Sequence, residues 1–135
     1  MLVFVAISIL LARFLSVENA ERSELAALLQ AQARGEVNAM LARLSGCHLS
    51  PACVATVRAN AVSLRRRGDV KILSVKSRTS YSLGGASGKT RIAWIVLGRL
   101  PVVQCVQVRR SGNVISGIDV KLLAISAPIA NEADC

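Results

Sequence analysis

The sequence predicts an α+β domain in which N-terminal helices pack on a four-stranded antiparallel sheet. Three observations carry this. No Pro or Gly occurs before Gly35, so one long helix can run unbroken from the start. Apolar residues recur at helical spacing as far as Leu64, whereas beyond Gly68 the period falls to two and Val and Ile dominate. Glycine-containing breaks then cut the second half into runs of strand length.

The chain has 135 residues, enough for one core and not two. Its apolar fraction of 53% exceeds the usual ~45–50%, and much of the excess lies in the first fifteen residues and the strands. Seventeen Lys and Arg against eight Asp and Glu give +9, which points to an anionic partner. A membrane surface, a wall polymer, an acidic protein and a nucleic acid all satisfy that. Only Arg65-Arg66-Arg67 forms a basic run, and it is a candidate contact surface.

Residues 1–12 are apolar, but as a helix they rise only ~18 Å against a hydrocarbon core of ~30 Å. Residues 1–15 are therefore read as a transmembrane anchor or uncleaved export signal, the native product being expected to begin further upstream. No basic residue precedes Arg13, and no small-x-small cleavage pattern lies between Ala12 and Ala20. The plainer reading is a buried core helix. Residues 16–135 form the domain.

The first helix continues past the apolar run, with Glu18 and Arg22 spaced for an ion pair and Leu25, Leu28 and Leu29 forming an apolar stripe. Glu18, Glu21, Glu24 and Glu36 are read as lying on or beside polar helix faces. Gly35 supplies the stop. Val37, Met40, Leu41 and Leu44 make a short amphipathic helix ended by Gly46, and such a stripe is core far more often than a cofactor box. Ser50 and Pro51 open a third helix as N-cap and first residue. Its buried face is Val54, Val57, Ala61 and Leu64; its wet face is Arg58, Arg65, Arg66 and Arg67.

Four cysteines allow three pairings. Cys47 with Cys53 can close a small loop across the helix start, and Cys105 with Cys135 can pin the tail to the sheet. The other pairings stay open. An even count behind an apolar leader favours an oxidising compartment. Arg13 pulls the other way by the positive-inside tendency, and the cysteines are given more weight. The expected location is a cell membrane, single-pass, with the C-terminal domain extracytoplasmic. A metal site joining His48 to the thiolates lacks paired short-spacing ligands, so no metal or other cofactor is expected.

In the sheet, Leu73, Val75, Ser77, Thr79, Tyr81 and Leu83 share one face of the first strand. Val70 and Ile72 have the opposite parity, so a bulge near Leu73 is required to keep both sets inward. Residues 84–88 form the turn. Strands over 89–97, 102–110 and 114–125 follow, the last two joined by Ser111-Gly112-Asn113. Arg91 to Arg110 is thus a central hairpin about Gly98-Arg99-Leu100-Pro101. Trp94, Val106, Val108, Ile118, Val120 and Leu122 are expected on the face that the helices cover.

This order of elements resembles the nuclear transport factor two-like superfamily with its cystatin-like cone, in the form of small membrane-anchored or secreted bacterial proteins. The residues that carry the resemblance are Glu18-Asn19-Ala20-Glu21-Arg22, Ala31-Gln32-Ala33-Arg34-Gly35-Glu36, Tyr81-Ser82-Leu83-Gly84-Gly85, Leu100-Pro101-Val102-Val103-Gln104-Cys105 and Gly112-Asn113-Val114-Ile115-Ser116-Gly117. It covers roughly residues 16–126. The resemblance implies a curved sheet around a cavity, a place for a small apolar ligand, and dimerisation through the sheet. It implies no chemistry, because the fold hosts isomerases, cyclases, scaffolds and secretion components.

An enzyme of this fold needs a buried acid with a hydrogen-bond donor inside the cone. The candidates are Tyr81, whose plainer role is to fill the core, and Asp119, whose parity with Lys121 turns it outward. Gly84 to Thr90 imitates a phosphate loop, but position 83 is Leu where Gly is needed, and no helix follows. Nucleic acid is disfavoured because only Tyr81 and Trp94 outside the leader could stack. A pilin-like envelope subunit shares the helix, the sheet and the C-terminal bridge, but lacks the early glutamate and has three helices before the sheet. The expected function is a membrane-tethered extracytoplasmic binding or assembly module without catalysis, partnered by the membrane and by a second copy or an envelope protein. The alternatives are the cyclase or isomerase and the pilin-like subunit.

Overall fold

The computed structural model describes residues 1–82, 85–113, 117–131 and 135. Within these, the side chains of residues 14, 17, 18, 78–82, 85, 86, 113 and 118 are not described. Three α-helices precede the sheet: α1 (Leu2–Arg34), α2 (Val37–Arg43) and α3 (Pro51–Ser63), with a 3-10 turn at Cys47–Leu49. The strands are β1 (Val70–Ser82), β2 (Gly85–Val96), β3 (Val102–Asn113) and β4 (Gly117–Ile125). They pair antiparallel in the order β1-β2-β3-β4, so the α+β meander expected from the sequence is the fold.

Helix α1 is ~50 Å long at 1.5 Å per residue, and its two halves have different environments. Leu2, Phe4, Leu10 and Leu15 are exposed, whereas Leu25, Leu28 and Leu29 are fully buried. The second half packs against α2, α3, β1 and β4. Among the described residues no helix is long and apolar enough to cross a membrane, so the expected single-pass transmembrane helix is not found within them. Gly35 ends α1 in the left-handed region at φ 73°. Its N–H donates to Gln32 O and that of Glu36 to Ala31 O, the paired closure that a positive-φ glycine allows.

The small helices behave as their sequence suggests. Met40 and Leu44 are buried, and Leu44 bridges to Leu122 on β4. Ser50 Oγ accepts the N–H of Cys53 with Pro51 in the first helical position. Val57, Ala61 and Leu64 are buried, and Val54 is half-buried. One expectation is corrected: α3 ends at Ser63, so Arg65, Arg66 and Arg67 stand in the loop beyond it rather than on its wet face. The cause is a competing partner, since Arg66 N–H donates to Ala33 O on α1 instead of to its own helix.

The bulge is where the parity argument required it. The β1–β2 register slips between Ile72 and Ser74, leaving Leu73 54% exposed while Val70, Ile72 and Val75 all pack on the core. Two turns are shorter than expected. Pairing continues to Ser82 opposite Gly85, so residues 85–88 are strand. Likewise Ser111, Gly112 and Asn113 belong to β3, with Asn113 opposite Gly117. In both places ladder bonds from neighbouring strands outweigh the weak strand propensity of Gly and Ser. The segments left for these turns, 83–84 and 114–116, lie outside the described residues.

The inner face of the sheet carries Ile92, Trp94, Val96, Val106, Val108, Leu122 and Ile125 into one core with α1, α2 and α3; Val120 is half-buried against it. Ile118 is among the side chains not described. Within this core lies a polar knot. Gln32 and Gln104, both fully buried, exchange amide bonds of 2.9 and 3.0 Å, and Gln104 Oε1 also accepts Trp94 Nε1–H at 2.8 Å. Gln104 Nε2 reaches Ser126 O at 2.9 Å as well.

Such a knot costs little when complete and much when broken. Gln104→Leu is expected to destabilise the domain by about 2–3 kcal/mol, because Gln32 and the indole N–H are then buried without partners. Urea unfolding followed by Trp94 fluorescence measures this. In a double-mutant cycle with Gln32→Leu, additive losses would show that the two amides do not act together.

Candidate functional site

Between α1, β1 and β3 lies a polar pocket of about 220 Å³ lined by Asn19, Glu21, Arg22, Val75, Ser77 and Arg110. Glu21 is its centre. It is only 3% exposed, which corrects its expected placement on a polar helix face. One carboxylate oxygen accepts Arg110 of β3. The other accepts the hydroxyls of Ser77 on β1 and Thr90 on β2, at 3.5 and 3.3 Å. Ser77 and Thr90 are themselves 3.3 Å apart.

One carboxylate therefore ties α1 to three strands. Chemically, a buried acid beside a guanidinium and two hydroxyls is what the enzyme alternative requires. Yet both oxygens are already engaged, one by Arg110 and the other by the two hydroxyls. The arrangement suits a structural clamp better than a proton acceptor.

A second site lies at the other end of α1. The last turn of α1, the loop after α3 and the β2–β3 turn enclose an open cleft of about 970 Å³. Arg34, Arg65, Arg66, Arg67 and Arg99 line it, with Asp69 as the one carboxylate and Gly68, Leu97 and Gly98 completing the lining. The loop that carries three of these arginines is held from three points. Arg66 N–H donates to Ala33 O at 2.8 Å, Gln30 Nε2 donates to Gly68 O at 3.2 Å, and Gln30 Oε1 accepts the N–H of Val70 at 3.0 Å. A Cβ on Gly35 would meet Ala61 O at 3.3 Å, so the ends of α1 and α3 are in close contact here. The arginines also sit beside the carbonyl end of α1, where the helix dipole favours cations.

The chain matches no family model, no curated protein and no solved structure.

Both bridges are present with the expected pairing. Cys47–Cys53 has a Cα separation of 5.4 Å and Cys105–Cys135 one of 5.5 Å. With its neighbouring sulfurs bonded to each other, His48 stands exposed and without thiolates to share a metal. Asp119 is exposed and pairs with Lys121 at 3.9 Å, as its parity indicated. Tyr81 stands opposite Ala86 in the β1–β2 ladder, and its side chain is among those not described. Glu18 is in the same position, and Arg22 donates to Ile72 O at 3.4 Å.

Glu21 and Arg110 were not among the candidate residues. Spacing does contain them. Glu21, Leu25, Leu28 and Gln32 follow one helix face, and Arg110 shares parity with Val106 and Val108.

Proposed function

We propose that this chain is a membrane-tethered extracytoplasmic binding or assembly module that works without catalysis. The observation that carries the proposal is α1, a single helix whose first half is apolar and exposed and whose second half is buried in the domain. A contiguous apolar surface of that kind marks a site of contact with lipid or protein. Support also comes from the two disulfides, which belong to oxidising compartments, and from the fully engaged carboxylate of Glu21. The order of helices and meander supports placing the chain with the nuclear transport factor two-like cone.

A pilin-like subunit is the second reading. It is favoured by the unbroken helix and by the Cys105–Cys135 bridge, which closes the C-terminal segment onto the sheet. In that case the apolar half of α1 would pack among like helices.

Membranes from the native host provide the test. The chain is expected in the carbonate-resistant membrane fraction, with its domain digested by protease added to spheroplasts and no thiol alkylated before reduction. A soluble chain with four alkylatable cysteines would overturn the proposal. Filaments in the sheared fraction, lost when Cys135 is replaced by Ser, would select the pilin-like reading.

A further inference from the structure

We infer that the arginine cleft is a binding site for a phosphate-bearing linear polyanion. Five arginines and one carboxylate line an open cleft, and among the described residues none of the five arginines forms an ion pair. The excess of cationic charge is thus held in one place without internal compensation. Its donors are not all used either, since Arg66 Nε is buried without a hydrogen-bond partner. The backbone beneath is fixed by Ala33 and Gln30, so the arginines are presented on a preformed frame.

The composition of the cleft narrows the ligand. All five cations are Arg, whose planar fork pairs two-pronged with phosphate oxygens and stays charged at any physiological pH. An open cleft of about 970 Å³ fits several units of a chain, not a single enclosed anion. Among the described residues no aromatic side chain lines it, so bases would find no stacking surface and nucleic acid is disfavoured. From Leu15 to Arg34 α1 rises ~28 Å, which puts the cleft at the end of the domain remote from the apolar segment. Headgroups of a membrane holding that segment lie out of reach. A phosphodiester polymer outside the membrane does not, and this choice of source rests on the tethered reading, although binding itself does not.

The test uses the full chain in mild non-ionic detergent with long-chain inorganic polyphosphate, titrated by fluorescence anisotropy at two salt concentrations. Binding is expected to weaken steeply with salt, as displaced counterions are reabsorbed. Replacing Arg65, Arg66 and Arg67 by Gln should weaken it roughly 50- to 100-fold, a few-fold for each charge-assisted contact. A charge-matched control, Lys89, Arg109 and Lys121 replaced by Gln on the exposed outer face, should change it less than threefold by the same measure of screened contacts. Unchanged Trp94 fluorescence shows that both variants are folded.

Equal losses in both variants would mean that only bulk charge acts, and would overturn the site. So would tighter binding of poly-glutamate or duplex DNA than of polyphosphate. The hairpin tip supplies the last arm, because Leu100 is exposed there outside the cleft lining. Leu100→Ser should leave polyphosphate binding intact. Preferential binding to vesicles of anionic phospholipid that this substitution abolishes would transfer the cleft to a lipid surface and overturn the polymer.

Discussion

Glu21→Ala is expected to destabilise the domain by about 3 kcal/mol, the lower end of the ~3–5 kcal/mol seen when one partner of a buried ion pair is removed. Arg110 would be left with its side chain only 13% exposed and its Nε already without a partner. Ser77 and Thr90 would lose their acceptor as well. The lower end applies because Arg110 retains some access to water. With a urea slope of about 2 kcal/mol per molar, the Trp94 unfolding midpoint should fall by roughly 1.5 M.

The apolar pair Glu21→Leu with Arg110→Leu separates charge burial from simple loss of contacts. It should recover most of the stability, because a buried pair replaced by packed hydrophobic groups is often neutral. If Glu21→Ala costs under 1 kcal/mol, the carboxylate is not a clamp, and a role toward a ligand in the 220 Å³ pocket gains force.

Cys135→Ser carries the other large effect. The bridge to Cys105 closes a separation of 30 residues, which in the chain-entropy account is worth about 3–4 kcal/mol, against about 2 kcal/mol for the six-residue separation of Cys47 and Cys53. The tail it holds also extends the edge of β3. Ser126 N–H donates to Cys105 O and Ile129 N–H to Val103 O, both at 2.8 Å. Those bonds should fray once the anchor is gone. In thermal melts the variant should lose about 10–15 °C, given ~3–5 °C per kcal/mol for a domain of this size. Cys47→Ser should lose clearly less. The reverse ranking would show that the tail contributes nothing to the sheet.

Much of this architecture is legible in the residues, and each success has a local cause. The stop at Gly35, the Ser50 cap, the bulge at Leu73 and the inward parity of Trp94 and Leu122 depend on neighbours within a few positions. The disulfide partners were suggested by spacing and by the ends they could join.

The misreadings have one cause as well. Glu21 was assigned to a polar face and Gln32, Gln104 and Arg110 were given no role, yet each occupies a core position in its own period, because each meets a complementary group 72 or 89 residues away in sequence. Residues 84–88 and 111–113 were read as turns from their Gly and Ser content, and strand pairing overrode that preference, on both sides for 85–88 and chiefly with β4 for 111–113. Arg65, Arg66 and Arg67 were visible as a run. Their company was not, since Arg34 and Arg99 join them only where α1 and the β2–β3 turn meet.

The sequence by itself thus determined the α+β order, the stop of α1, the start of α3, the inward parity of the core strand residues and the excess of positive charge, all of which follow from short-range sterics and hydrophobic period. Only the tertiary structure decided which polar groups are buried and which cations share a cleft. Burial of a charge is stable only when a partner from a distant segment arrives with it, and no local pattern specifies that arrival.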